Sequence, residues 1–114
     1  MKIYGIKNCN TVKKALDWLK EKQVNIEFHD YKKLGITEPQ LQQWCTAVGW
    51  QKLVNKKGST WRSLSVEEQN SIVDEGSAIA LMLKKTSVIK RPLIEHKHQI
   101  IIGFDEKEYS DTLL

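Results

Sequence analysis

The sequence predicts an α/β sandwich, and three observations carry that expectation. The first thirty residues alternate in a strand-helix-strand pattern, the middle of the chain reads as helices, and the last part reads as strand-strand-helix. A length of 114 residues suits one compact domain, and 40% hydrophobic residues are enough to fill one core. A single domain spanning 1–114 is expected, with a helical insertion over about 37–85.

Met1 to Ile6 alternates apolar positions around Ile3 as a short strand does, and Asn8 to Asn10 supplies turn chemistry directly after it. The period then changes. Val12, Ala15, Leu16 and Leu19 recur at helical spacing, with Lys13, Lys14, Asp17 and Lys20 on the other face, which predicts a helix from about Thr11 to Lys22. Val24 to Tyr31 alternates β-branched and aromatic residues as a second strand, and connection handedness makes the two strands parallel.

The turn Leu34-Gly35-Ile36 leads to Thr37, where a hydroxyl N-cap, Pro39 in the first turn and Gln40 three residues on form a capping-box start signal. Leu41, Trp44, Cys45 and Val48 share one face of the helix that follows, which ends at Gly49. Lys56 to Thr60 reads as a polar loop between two helical stretches, Ser65 and Glu68 form another capping box, and Ala78 to Leu83 is a short apolar helix. After Pro92, Leu93-Ile94 and Gln99 to Gly103 are two short strands about a His-rich turn, and Asp105 caps a terminal helix reaching Leu114. This order matches a thioredoxin-like sandwich interrupted by a helical insertion, and not a long parallel sheet.

No signal-peptide pattern opens the chain, since Lys7-Asn8 interrupts the first apolar alternation. No stretch approaches the roughly 18 apolar residues of a membrane span. A cytoplasmic location is therefore expected, with no membrane partner. A formal charge of +4 suits an anionic partner, whether an oxyanion, a carboxylate-bearing thiol or a nucleic acid, but is too small to choose among them. Nucleic acid is not the expected partner, and a monomer is expected. Two cysteines are too few for a disulfide-stapled scaffold, and His29, His96 and His98 lack the Cys pair of a structural zinc site, so no metal is expected. His96 and His98 read as solvated surface residues.

Cys9 follows a predicted buried strand and precedes a predicted helix. Its sulfur should lie near unpaired helix N–H groups and the positive end of the helix dipole, which favour thiolate over thiol. Lys7, Lys13 and Lys14 would push in the same direction. The structural alternative is a small apolar side chain plugging the strand-helix junction. Position 12 is Val, so the C-x-x-C dithiol is missing and Cys9 must borrow its second thiol from glutathione, another protein or Cys45. Cys45, on an apolar helix face beside Trp44, reads as an inert small hydrophobe.

Lys7-Asn8-Cys9-Asn10-Thr11-Val12-Lys13-Lys14-Ala15, then Asp30-Tyr31, Leu53 to Arg62 with Asn55, Gly58 and Arg62 at their spacing, and Ile89-Lys90-Arg91-Pro92 follow one another over nearly the whole chain. Together they resemble the ArsC/Spx/YffB (arsenate reductase-like) family, and within it most nearly the YffB-like branch. The resemblance implies a thioredoxin-like core with a helical insertion, Cys9 as catalytic nucleophile, and a basic pocket of Arg62 and Arg91. In the substrate-binding set expected around Cys9, Arg62 and Arg91, with Lys13 or Lys14, would lower the sulfur's pKa and pair with substrate carboxylates, Asn10 and Thr11 would donate hydrogen bonds at the helix start, and Pro92 would face the sulfur. Pro92 matches a position where thioredoxin-like proteins usually carry a cis-proline facing the reactive cysteine, although spacing alone leaves its isomer open.

Two departures from the family bear on function. No arginine follows Arg91, and Gly103-Phe104-Asp105 stands near where an oxyanion-holding arginine is expected. Spx-type regulators commonly carry C-x-x-C and bind RNA polymerase, and Val12 removes that switch. The expected function is a glutathione-dependent thiol reductase using one reactive cysteine, with no bound cofactor, glutathione as co-substrate, and glutaredoxin or a protein disulfide as further partners. The alternatives are an arsenate reductase or an Spx-like non-enzymatic regulator that binds RNA polymerase.

Overall fold

In a computed structural model describing residues 1–114, the opening alternation folds as strand β1 (Lys2–Gly5) and the helical period that follows as α1 (Asn10–Glu21). Strand β2 (Glu27–Asp30) comes next. It is shorter than the alternation from Val24 to Tyr31 suggested. Gln23 takes a positive φ of 58° and the Val24 N–H bonds to the Leu19 carbonyl at 3.0 Å, so Val24 belongs to the exit turn of α1. At the other end Tyr31 opens a short helix, α2 (Tyr31–Leu34), in place of ending the strand.

The middle of the chain is helical: α3 (Glu38–Val48), α4 (Trp50–Leu53), α5 (Ser59–Arg62), α6 (Val66–Asn70) and α7 (Glu75–Lys84), with a 3-10 turn at Thr86–Val88. Strands β3 (Leu93–His96) and β4 (Gln99–Ile102) and helix α8 (Glu106–Leu113) close it. No helix is long and apolar enough to cross a membrane. The chain divides into two compact units, Met1–Tyr31 with Arg91–Leu114, and Lys32–Lys90.

In the first unit the four strands form one sheet in the order β2-β1-β3-β4. β1 and β2 are parallel, as the βαβ connection requires, whereas β3 runs antiparallel to both β1 and β4. Lys97 and His98 turn the β3–β4 hairpin with φ of 46° and 67°, the paired positive values of a type I′ turn. His98 is exposed there, while His96 is half-buried and pairs with Gln99 in the strands.

One apolar cluster joins Ile3, Ile94 and Ile101 from the sheet to Ala15, Trp18 and Leu19 of α1 and Tyr109 of α8. Each fully buried aliphatic side chain of this kind stabilises a fold by about 1.5–3 kcal/mol. Trp18, Phe104 and Tyr109 meet edge to face, with ring centroids 5.2–6.5 Å apart. A Cβ on Gly5 would lie 2.9 Å from Val12 Cγ2, so the bare backbone there lets the first turn of α1 close on the end of β1.

In the second unit the caps follow local chemistry. The Thr37 hydroxyl accepts the Gln40 N–H at 3.3 Å, but the Gln40 side chain meets that hydroxyl at 3.4 Å instead of returning to the backbone, so the expected box is half made. The Ser65–Glu68 box is complete, with bonds of 3.0 and 3.2 Å. An unforeseen box, Asp74 with Ser77, starts α7 three residues earlier than the apolar run at Ala78 suggests. Ser59 and Thr60 belong to α5, not to the polar loop before it. Leu41, Trp44, Leu53, Trp61 and Met82 are buried, and the unit's C-terminal end is tied to its middle by the Lys90 N–H on the Leu53 carbonyl at 2.7 Å and the Asn55 N–H on the Val88 carbonyl at 2.8 Å.

Candidate active site

Topology brings three distant segments to one end of the sheet. β1 and β2 are parallel with Gly5 opposite Asp30, so the loop to Cys9 and the residue Tyr31 both leave from their C-terminal ends. β3 is antiparallel to β1 with Leu93 opposite Tyr4, so Arg91-Pro92 enters the sheet at that same end. The Arg91–Pro92 peptide is cis, and the buried Pro92 offers its carbonyl to the Gly103 N–H at 2.8 Å.

Cys9 is the N-cap residue of α1, in extended backbone with φ −129° and ψ 122°. The thiol makes no conventional side-chain capping bond, but the Val12 and Thr11 N–H groups face the sulfur closely enough to stabilise a thiolate. Burial pushes the Cys9 thiol up. The Val12 N–H, a hydrogen bond from Arg91, the Thr11 N–H and the positive charge of Arg91 outweigh it, holding the pKa below the ordinary thiol range. These contacts favour thiolate over thiol at this sulfur.

Arg91 also hydrogen-bonds Tyr31, a contact that sequence reasoning missed. Tyr31 is fully buried. Burial raises its phenol to about 12 against the pull of Arg91, with the Cys9 and Asp30 charges adding to the rise. The Asp30-Tyr31 pair was visible as part of the family resemblance, but strand periodicity alone does not say which end of β2 abuts the reactive turn.

Arg91, one of the cations expected to act on the sulfur, does so. Lys7, Lys13 and Lys14 are exposed, where water and salt screen their charge, and the guanidinium beside Cys9 belongs to Arg91. Asn10 and Thr11 are exposed in the first turn of α1, Thr11 contributing its backbone N–H. Arg62 is the exposed last residue of α5, in the helical unit. Cys45 is buried on α3, where burial and then the charge of Glu75 push its thiol up to about 11.

These opposite shifts predict labelling order. In brief iodoacetamide treatment near neutral pH, mass mapping should find Cys9 alkylated well before Cys45, because only the thiolate reacts. Cys9 labelling should also persist further into acid than that of an unperturbed thiol. Preferential labelling of Cys45 would contradict the assignment of the reactive group.

Comparison with known proteins agrees with this geometry. The chain is 44% identical over 107 residues to an uncharacterized protein of Haemophilus influenzae, covering 94% of this chain and 93% of that one. It superposes on the solved structure of a YffB protein with a TM-score of 0.94 and 42% identity, over 99% of this chain and 98% of the other. At 27% identity over 104 residues it is similar to the global transcriptional regulator Spx of Streptococcus pyogenes serotype M3, covering 89% of this chain and 75% of that protein. The thioredoxin-like core with its helical insertion is shared with the YffB structure, and the ArsC family model matches residues 4–112, from within β1 into α8, so the chain belongs to the ArsC family.

Proposed function

We propose that the protein is a glutathione-dependent thiol reductase that works through Cys9 alone. The observation that carries this reading is a thiol held toward its thiolate form by Arg91 and two helix N–H groups, with valine where a resolving cysteine would stand. Cys45 is a poor substitute, since its raised pKa leaves little thiolate near neutrality. A second thiol must therefore come from solution. Glutathione suits the role because it supplies a thiol together with carboxylates, and exposed Asn10, Thr11 and Lys13 offer donors and charge beside Cys9.

In the first step the Cys9 thiolate attacks the glutathione sulfur of a mixed disulfide R–S–S–G. A Cys9–S–S–G bond forms and RS⁻ leaves, taking a proton from solvent. In the second, a glutathione thiolate attacks the glutathione sulfur of that intermediate, the Cys9 thiolate leaves, and oxidised glutathione is released. The sum is R–S–S–G plus glutathione giving R–SH plus oxidised glutathione, with every bond and electron pair accounted for. The acidic Cys9 serves both as attacking group and as leaving group.

Arsenate is the discriminating substrate. An oxyanion needs several fixed donors, and no arginine follows Arg91. At the place where a further one was expected, Gly103 takes a φ of 86°. With glutathione, glutaredoxin and a coupled reductase present, wild-type protein should turn over a small glutathionylated disulfide and leave arsenate essentially unreduced. Robust turnover of arsenate with none of the disulfide would reverse the assignment. Activity on neither, with specific capture of RNA polymerase, would favour a regulator like Spx.

A further inference from the structure

We propose that Tyr31 is a positioning residue for the reactive thiol: its buried hydroxyl holds the Arg91 guanidinium in the orientation that donates to the Cys9 sulfur. The inference rests on Cys9 as the reactive group, and not on glutathione as its reductant.

Placement is the first support. Tyr31 follows directly on Asp30, whose strand position is opposite Gly5, and it stands at the sheet end that β1 leaves toward Cys9 and Arg91 enters. Arg91 hydrogen-bonds both Cys9 and Tyr31, so one guanidinium serves the sulfur and the phenol together. A long arginine side chain anchored only at one end loses rotamer entropy whenever it points at a fixed target. A second anchor on a fully buried ring removes most of that loss before the thiolate forms.

Chemistry is the second support. A carboxylate in this place would also bind the guanidinium, but it would cancel the positive charge that Arg91 presents to the sulfur. Tyr31 accepts the hydrogen bond as a neutral group, and burial keeps its proton on near neutrality. The groups that face it with charge are Arg91, Cys9 and Asp30. Removing the hydroxyl while keeping the ring leaves the packing and takes away the anchor.

The test is the pH profile of iodoacetamide alkylation of Cys9 in wild type, Tyr31→Phe, Arg91→Ala and the double variant. It needs no substrate, so it stands whether or not disulfide turnover is found. Tyr31→Phe should move the midpoint upward and slow alkylation near neutrality by about two- to fivefold. The midpoint is the decisive reading, because intrinsic nucleophilicity rises as a thiol becomes less acidic and offsets part of the rate. In the Arg91→Ala background the same substitution should add nothing further. An unmoved midpoint in Tyr31→Phe, or an equal shift with and without Arg91, would overturn the proposal.

Should Tyr31→Phe not fold, wild-type protein labelled with 3-fluorotyrosine decides the matter by fluorine magnetic resonance. Arg91→Ala should then displace the resonance of residue 31 but not those of Tyr4 and Tyr109. A residue 31 signal indifferent to Arg91 would equally overturn it.

Discussion

Replacing Cys9 with serine is expected to lower turnover of a glutathionylated disulfide by on the order of 10³ or more. The helix N–H groups and Arg91 would remain, but a serine hydroxyl gives up its proton far less readily than a thiol, and oxygen cannot form the mixed disulfide. The fold should survive, because Cys9 is only half-buried and makes no conventional capping bond that serine would forfeit. Steady-state rates in the coupled assay, together with a melting curve close to that of wild type, make the check. Retained turnover in a folded Cys9→Ser protein would move the chemistry to another residue.

Arg91→Ala is expected to lower turnover near neutral pH by roughly ten- to a hundredfold, the scale of one charge-assisted hydrogen bond to a reacting atom. The Cys9 midpoint in the alkylation profile should rise. Stability supplies an independent sign. Because the folded-state pKa of Cys9 is depressed, the thiolate contributes stability that is fully present above the pKa of an unfolded thiol and is lost as pH falls through the lowered folded value. The gap in melting temperature between wild type and Arg91→Ala should therefore be widest in alkaline solution and narrow in acid. A gap that stays constant across that range, with the alkylation midpoint unmoved, would return Arg91 to the role of a solvated turn residue.

The core of the fold was legible because its signals are local and repetitive. The 3.6-residue spacing of Val12, Ala15 and Leu19 locates α1, Asp105 caps α8 through the Glu108 N–H at 3.0 Å, and Ser65 and Glu68 mark α6. Boundaries failed where a side chain outweighed the period. Asp74 extended α7 by capping it, and a positive φ at Gln23 cut β2 short. The place of Cys9 between strand and helix was legible from the two periods that meet there. Arg91 beside it was legible only through the family resemblance, because it stands just ahead of β3, most of the chain away, and no local spacing ties it to Cys9. The contact of Tyr31 with Arg91 escaped notice for the same reason. A contact set by pairing between distant strands leaves no periodic trace.

That pairing has a temporal consequence. A ribosome makes Cys9 before α1, β2 and all the middle helices, and Arg91 only after they have been polymerised. At roughly 5–20 residues per second, several seconds separate the two. Throughout that interval the nascent chain has no Arg91 with which to acidify its sulfur. The thiol gains its guanidinium only when β3 docks beside β1, so its acidity appears with that pairing and disappears with any opening that frees the strand.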